Sequence, residues 1–255
     1  MQAGTTRQIV GAVPDADFSR ETMGCPGWRV QDVIAHLTTG AQMFQGIALG
    51  TISGANWMDE RTRRLAENAA LTPAQLKALY PDADAQLIDT FKGMSPEELQ
   101  AKRQHPAFGE VPVAHFMGLR ISETAIHGWD VASTLDPEAR LQGAAVAPVA
   151  AQIATVFPSW FLADKIAGLE RSYRFIVGAP LNEERMLSIS NGKVMWTTDS
   201  GDSDATLTLD GGDFLLLISG RLSSERLIST GRAQASGDEA TAHELSSLFQ
   251  AYGGR

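Results

Sequence analysis

The stretch from residue 29 to residue 49, RVQDVIAHLTTGAQMFQGIAL, decides the fold of the first part of the chain. Its apolar side chains recur every three or four residues, which is typical of an amphipathic helix. They are Val30, Val33, Ile34, Leu37, Met43, Phe44 and Ile47. Pro26 and Gly27 come just before it and break any preceding element. We therefore predict a long helix that carries His36 in its middle, among residues that face a core.

Helical patterns continue along the chain to about residue 170. Thr72 and Ser95 each stand before a proline, which is typical of a helix start. Pro81 is expected to split or kink the helix that follows Thr72. A short helix is expected after Ser95, and the longer predicted helices cover residues 29–49, 57–70, 73–91, 113–135 and 144–167. Four main helices with moderate connections favour an up-and-down bundle.

Strand signals appear after residue 170. Asn191 and Gly192 separate two alternating segments, which predicts a hairpin with a type I′ turn. The predicted strands cover residues 173–177, 186–190, 193–198 and 205–209, and helical runs are expected at 214–219 and 240–252. The expected fold class is α plus α+β, with a helical bundle over residues 1–170 and a small α+β domain over residues 171–255.

Composition and charge narrow the class of function. The net charge is −9 and no basic run interrupts it, so nucleic acid and anionic membranes are poor candidates as partners. No uninterrupted apolar stretch reaches the roughly 18 residues of a membrane span. Cys25 is the single cysteine, which excludes an intrachain disulfide. Together with the absence of an export signal, it favours a cytoplasmic location.

Glu123 and His127 lie four residues apart on the helix predicted over residues 113–135. This spacing puts both side chains on one helix face, one turn apart, where they can occupy adjacent positions on a metal ion. His36, from a facing helix, can supply a third ligand. Two histidines and one carboxylate leave positions open for water or substrate, as catalytic metal sites do. The alternatives are a hydrogen-bonded core histidine for His36 and a polar pair on a helix face for the other two.

Two sequence words resemble motifs of a known family. Residues 25–37, CPGWRVQDVIAHL, resemble the opening motif of the mycothiol-dependent maleylpyruvate isomerase family, which belongs to the DinB-like metal-binding bundles. Residues 120–132, RISETAIHGWDVA, resemble its second motif. Three words of the second half, KVMW, ATLTL and LISGR, are similar to the sterol-carrier-like domain that follows in some members. The resemblance implies a DinB-like four-helix bundle followed by a sterol-carrier-like α+β domain.

The family resemblance also implies ligands and cosubstrates. His36, Glu123 and His127 match the family's zinc ligands, so a divalent metal, Zn²⁺ first, is the expected cofactor. Mycothiol or a similar small thiol is the expected cosubstrate, and a small electrophile is the second partner. Arg221 occupies the place of a family arginine near the metal cleft, where it could pair with a substrate carboxylate. Its alternative role is that of a cation at the end of a helix.

Further residues are candidates for supporting roles. Asp130 lies three residues after His127 and Asp32 lies four residues before His36, so either carboxylate could orient a ligand imidazole. Asp130 could instead be a solvated acid, and Asp32 an acid in the first helical turn. Substrate-pocket residues are expected to be Trp28, Trp129 and Arg120, the last also as an ion-pair partner of Glu123 or Asp130. Cys25 is interpreted as a structural residue of the turn, and His115 is the main rival ligand.

Three functions are compatible with these residues. The first is a metal-dependent isomerase or S-transferase that activates a small thiol. The second is a non-catalytic module that binds a small molecule through the carrier-like domain. The third is a metal-dependent hydrolase, with water as the nucleophile. A monomer or a homodimer is expected.

Overall fold

The computed structural model describes residues 2–106, 108–141, 143–198 and 201–251. The chain forms two compact units, Met1–Ala139 and Arg140–Arg255. The first is mainly helical and the second combines a sheet with helices, which confirms the expected fold class. The sequence predicted the change from helical to strand-rich segments near residue 170. The division between the units comes earlier because the helix Val146–Val156 packs against the helix Gly211–Ile218 of the second unit.

The first unit is a bundle in which the helix that carries His36 is central. That central helix packs against three other helices of the unit. The first helix of the chain packs against two of those three. In chain order the elements are α1 (Gln2–Ala12), α2 (Val30–Ala48), α3 (Trp57–Ala69), α4 (Pro73–Gly93), α5 (Pro96–Gln100), β1 (Lys102–His105), β2 (Gly109–Pro112) and α6 (Val113–Leu135). A 3₁₀ helix, Asp15–Ser19, follows α1. The main contacts of α2 are with α3, α4 and α6, and those of α1 are with α6 and α4.

One helix of the bundle differs from the sequence prediction. The helix expected over residues 144–167, at the end of the helical half, belongs to the second unit, and α1 packs on α6 and α4 in the bundle. The Thr6 hydroxyl of α1 donates a hydrogen bond of 2.9 Å to the carbonyl oxygen of Thr124 on α6. Gly128 permits this close packing, because a Cβ atom there would lie 2.7 Å from Thr6 Oγ1.

The helix starts follow the local sequence. The Thr72 hydroxyl accepts a hydrogen bond from Gln75 N, and that of Ser95 accepts one from Glu98 N. Such caps satisfy backbone donors that have no partner inside the helix. Pro81 does not split the helix that Thr72 opens, since α4 continues through it to Gly93.

Two apolar clusters hold the bundle together, and α2 contributes to both. Toward its C-terminal end, Phe44 packs with Phe116 at a ring-centre distance of 5.5 Å. Toward its N-terminal end, the second cluster includes Val10, Val33, Ile34, Leu37, Leu76 and Tyr80, all fully buried. His36 lies on the same helix segment as this second cluster, so its backbone is held by well-packed neighbours.

In its described residues, the second unit contains a five-stranded sheet and several helices. The strand order is β5-β4-β3-β6-β7, with β3 and β6 parallel and the other neighbours antiparallel. Its elements are α7 (Val146–Val156), α8 (Ala163–Ile166), β3 (Arg171–Val177), β4 (Glu183–Ser190), β5 (Lys193–Thr197), β6 (Ala205–Leu209), α9 (Gly211–Ile218), α10 (Ser224–Ser229), β7 (Ala233–Gly237) and α11 (Glu239–Glu244).

The predicted hairpin is present between β4 and β5. Both turn residues have positive φ, 51° at Asn191 and 70° at Gly192, as a type I′ turn requires. Two predicted helices are shorter than expected. The segment 144–167 is interrupted by the 3₁₀ helix Phe157–Trp160, and the helix expected over 240–252 ends with the 3₁₀ helix Leu245–Ser247, its last predicted residue lying outside the described ones. Among the described residues, every helix is too short or too polar to cross a membrane.

Candidate metal centre

His36 and Glu123 meet across the interface between α2 and α6. The distance from His36 Nε2 to Glu123 Oε1 is 3.7 Å. Both side chains are mostly shielded from solvent, at 17% and 19% exposure. Two ligand atoms on one tetrahedral zinc ion stand roughly 3.4 Å apart, since each bond is about 2.1 Å long. The spacing of these two atoms is therefore close to that of a shared cation.

His127 lies beside both residues, one helical turn after Glu123. Its ring centre is 4.8 Å from that of His36, and the two rings are nearly perpendicular. Residues 36 and 127 belong to helices that are adjacent in the bundle, although the chain separates them widely. The structure thus brings together the three side chains that the sequence singled out as ligands.

Glu123 carries a buried oxygen that lacks a hydrogen-bond donor. Its Oε2 is buried and accepts no hydrogen bond from the described residues. Arg120 Nη1 is the near cationic atom, at 3.8 Å. Burial raises the pKa of the Glu123 carboxyl above its usual value, and the charges of Arg120, His127 and Arg61 act in the opposite direction. A buried oxygen without a donor costs free energy, which a cation bound to it would offset.

Gly40 makes room for this carboxylate on the neighbouring helix. A Cβ atom at residue 40 would lie only 2.7 Å from Glu123 Oε2. Gly40 is one turn after His36 on α2, so the absent side chain leaves space on the same helix face as the imidazole. The donor set, the orphaned oxygen and this space fit a divalent cation bound by two nitrogens and a carboxylate.

Asp130 holds the His127 ring from the other side. Asp130 Oδ2 is 2.8 Å from His127 Nδ1, and both side chains are buried. A carboxylate only accepts hydrogen bonds, so Nδ1 carries the proton and the lone pair of Nε2 is available. Such an arrangement is common for metal-binding histidines. Asp130 therefore contacts the imidazole for which the sequence suggested it.

A second group of possible ligand atoms overlaps this site. Cys25 Sγ, His127 Nδ1 and the Asp130 carboxylate lie within 4.8 Å of one another, all on buried residues. These atoms already bond among themselves, because Cys25 Sγ donates to Asp130 Oδ2 at 3.2 Å and the same oxygen receives His127 Nδ1. A cation there would have to break both bonds. The pair of His36 and Glu123 differs from this group, because Glu123 Oε2 is buried and accepts no hydrogen bond from the described residues.

Arg120 is buried inside the bundle, where it forms an ion pair. Its guanidinium donates to Asp84 Oδ1 at 2.8 Å and to the Leu37 carbonyl at 2.9 Å. Asp84 is fully buried and also accepts a hydrogen bond of 2.8 Å from Arg7 Nε. These bonds occupy a side chain that the sequence suggested for the substrate pocket. Its Nη1 also lies 3.8 Å from Glu123 Oε2, and Glu123 is one of the ion-pair partners that the sequence allowed.

The two tryptophans suggested for the pocket occupy different environments. Trp28 is half-buried and stacks parallel to His127, with ring centres 6.1 Å apart. It also meets His36 edge to face, at 5.3 Å. Trp129 is buried, and its Nε1 donates to the carbonyl of Ala139. Trp28 therefore forms a wall of the candidate centre, whereas the contacts of Trp129 among the described residues are those of a core side chain.

Asp32 and Arg221 are bonded locally. Asp32 accepts hydrogen bonds from Arg29 N and from the Arg29 guanidinium, all between 2.9 and 3.0 Å. The side-chain hydrogen bond from Arg29 lowers the pKa of Asp32 below its usual value. This is the first-turn role that its position also allowed. Arg221, in the second unit, is buried after α9, and its Nη1 donates to the Ser219 carbonyl.

Sequence reasoning missed three residues near the candidate centre. Cys25 was interpreted only as a turn residue, and neither Asp84 nor Gly40 was singled out. A small residue one turn from a predicted ligand was the available signal for Gly40. No local signal reveals Cys25 or Asp84, because their partners are 105 and 36 residues away in the chain.

Comparisons with known proteins agree with this architecture. The family model of the mycothiol maleylpyruvate isomerase N-terminal domain matches residues 2–132, and that of the SCP-2 sterol transfer family matches residues 161–250. Two solved structures, of the mycothiol-dependent maleylpyruvate isomerase and of a histidine-to-alanine mutant of that enzyme, are similar in fold. Both align with a TM-score of 0.61, over 92% of this chain and 88% of theirs, at 15% and 14% identity.

A search of curated protein sequences gave no match. The first family model spans more than half of the 255 residues, and the region it matches contains His36, Glu123 and His127. The chain therefore belongs to the mycothiol maleylpyruvate isomerase N-terminal domain family, and an SCP-2-type domain follows that domain.

Proposed function

We propose that this protein is an enzyme that holds one divalent cation with His36, Glu123 and His127 and uses it to activate a small thiol. The observation that carries the proposal is that His36 contacts both His127 and Glu123, whose second carboxylate oxygen is buried and accepts no hydrogen bond from the described residues. Family membership supports a thiol-dependent isomerase, and it favours mycothiol as the thiol.

The protein's own residues prepare the centre. Asp130 holds the proton on His127 Nδ1 and so directs the Nε2 lone pair away from the Asp130 side. Arg120, fixed by Asp84, places positive charge beside Glu123 and favours its ionised form. The face of Trp28 stacks on the His127 imidazole, and the same ring meets His36 at an angle of 65°. A divalent cation, when bound, would lower the pKa of a coordinated thiol and favour the nucleophilic thiolate.

The proposed reaction is a reversible addition. The thiolate sulfur forms a carbon–sulfur bond to one carbon of an electrophilic double bond, and the π electron pair moves to the electron-withdrawing group of the substrate. The resulting carbon–carbon single bond rotates, and the electron pair then re-forms the double bond while the same carbon–sulfur bond breaks. The thiol is regenerated and no oxidant is consumed. An S-transferase would retain the carbon–sulfur bond.

Zinc is the proposed metal. Nitrogen and carboxylate ligands suit zinc, and two histidines with one carboxylate are a known catalytic set for it. The chain as purified is expected to contain about one divalent cation, because a single cation would use all three proposed ligands. His36→Ala is expected to weaken zinc binding by more than about 100-fold, since loss of an outer partner alone costs 10- to 100-fold.

The test combines metal analysis with thiol binding. His243→Ala, in the second unit, serves as the matched control and should retain the metal. The zinc-loaded protein is then titrated calorimetrically with mycothiol, bacillithiol and glutathione. Binding of mycothiol that is lost in His36→Ala supports the proposal. A metal-loaded protein that binds none of the thiols contradicts it, and turnover of an ester or amide without any thiol would indicate a hydrolase instead.

A further inference from the structure

Cys25 lies directly behind one of the proposed ligands. It stands in the turn before α2, and the residue is buried, with 9% of its surface exposed. Its Sγ is 3.2 Å from Asp130 Oδ2 and 3.9 Å from His127 Nδ1. The three side chains come from two segments that are about a hundred residues apart, so the contact depends on the fold of the whole bundle.

One carboxylate oxygen links the two neighbours. Asp130 Oδ2 receives both the Cys25 thiol and the His127 Nδ1 proton, the latter at 2.8 Å. An acceptor that is bound from two directions has less freedom to rotate than one bound from a single direction. The ring of His127 is therefore held by a chain of two hydrogen bonds that begins at Cys25.

We propose that Cys25 is a positioning residue of the metal centre, which acts through Asp130 to fix the orientation of the His127 ring. The thiol neither touches the substrate nor binds the cation in this proposal. It keeps Asp130 Oδ2 in line with Nδ1, and this keeps Nε2 directed toward His36 and Glu123. The inference rests on the proposed function, because it assigns a purpose to the orientation of a proposed ligand.

The backbone around Cys25 supports such a fixed placement. The Cys25 carbonyl accepts hydrogen bonds from Trp28 N at 2.9 Å and from the Thr22 hydroxyl at 3.2 Å. Gly27 has a φ of 80°, which lets the chain turn tightly before α2. The turn that holds Cys25 therefore also places Trp28, whose ring stacks on His127. Both residues of the turn act on the same imidazole, one from its edge and one from its face.

The test compares Cys25→Ser with Cys25→Ala in the full-length protein. Serine retains a donor and alanine removes it, so the pair differs in one hydrogen bond. Cys25→Ala is expected to bind zinc about threefold to tenfold more weakly, which corresponds to one lost hydrogen bond, and Cys25→Ser should stay close to the unchanged protein. In an Asp130→Asn background the Cys25→Ala change should have a much smaller effect, because the two act in series.

A second readout does not depend on the metal. Nitrogen-15 NMR of the imidazoles, recorded without added metal, should show His127 protonated at Nδ1. The Nδ1 proton should exchange with water several-fold faster in Cys25→Ala than in Cys25→Ser. Equal spectra and equal zinc affinities for the two variants would overturn the inference, as would an unchanged Cys25→Ala penalty in the Asp130→Asn background. If the protein binds no zinc but the NMR difference is present, the proposed function fails and the positioning role stands.

Discussion

A methyl group added at Gly40 should weaken metal binding while it leaves the bundle folded. The new Cβ in Gly40→Ala would lie 2.7 Å from Glu123 Oε2, about 0.7 Å closer than the 3.4 Å of ordinary contact. Arg120 Nη1, at 3.5 Å from the same position, limits the directions in which the carboxylate can move. A ligand oxygen displaced by several tenths of an ångström leaves the range of about ±0.2 Å that metal sites tolerate.

The expected effects of Gly40→Ala on zinc affinity and on the free energy of unfolding differ in size. Replacing glycine by alanine inside a helix stabilises it by about 1 kcal/mol, and overpacking costs about 1–3 kcal/mol. The free energy of unfolding without metal should therefore fall by no more than about 2 kcal/mol. Zinc affinity should fall about 10- to 100-fold, as it does when the environment of a ligand is disturbed. Urea denaturation measures the first quantity, and competition with a chelator measures the second.

Two other glycines provide matched controls. Gly11→Ala, on α1, meets nothing within 4 Å and should leave zinc affinity unchanged. Gly46→Ala, on α2, would place its Cβ 2.6 Å from Ile52 Cδ1, so it overpacks the same helix away from the candidate ligands. If Gly46→Ala weakens zinc binding as much as Gly40→Ala does, general loss of packing explains the effect. If Gly40→Ala folds and binds zinc with unchanged affinity, Glu123 is not a ligand and the reasoning is wrong.

Two further predictions concern stability. Asp84→Asn should lower the free energy of unfolding by about 3–5 kcal/mol, because it removes the charge that pairs with buried Arg120 and with Arg7. Urea denaturation of the variant and of the unchanged chain measures this difference. A loss below about 1 kcal/mol would contradict the prediction. Burial, and then the charge of His115, lowers the pKa of His105 below its usual 6.5. The stability that neutral His105 contributes is therefore present above pH 6.5 and is lost as the pH falls through its lowered pKa. His105→Gln should flatten the dependence of the free energy of unfolding on pH between about 7.5 and 5. Equal slopes of this free energy against pH for the two proteins would disprove the assignment.

The long helices could be predicted because their pattern is local. In α2 and α6 the apolar residues recur at helical spacing, and breaks such as Pro26 and Pro137 stand near their ends. The hairpin at Asn191 was equally clear, since a type I′ turn depends on two residues only. His36 and His127 could be singled out because each stands among apolar residues of a long helix, and Glu123 because it lies one turn before His127.

The missed elements depend on tertiary contacts. Helix α1 has glycines at residues 4 and 11 and a weak apolar pattern, and it is held by the fit of Thr6 against Gly128. The strands Lys102–His105 and Gly109–Pro112 are mostly polar, and they are stabilised by pairing with each other. The bond from Cys25 to Asp130 is a similar case, because a propensity scale contains no term for residues so far apart in sequence.

The arrangement of ligands on two helices affects which ions the proposed centre can select. Glu123 and His127 extend from one uninterrupted helix, so the separation of their backbones is fixed by helical geometry. His36 extends from α2, and its distance from the other two depends on how closely the two helices approach at Gly40. Discrimination by ionic radius would then be set by the width of a helix–helix contact, and substitutions along that contact could retune it while all three donor side chains stay the same.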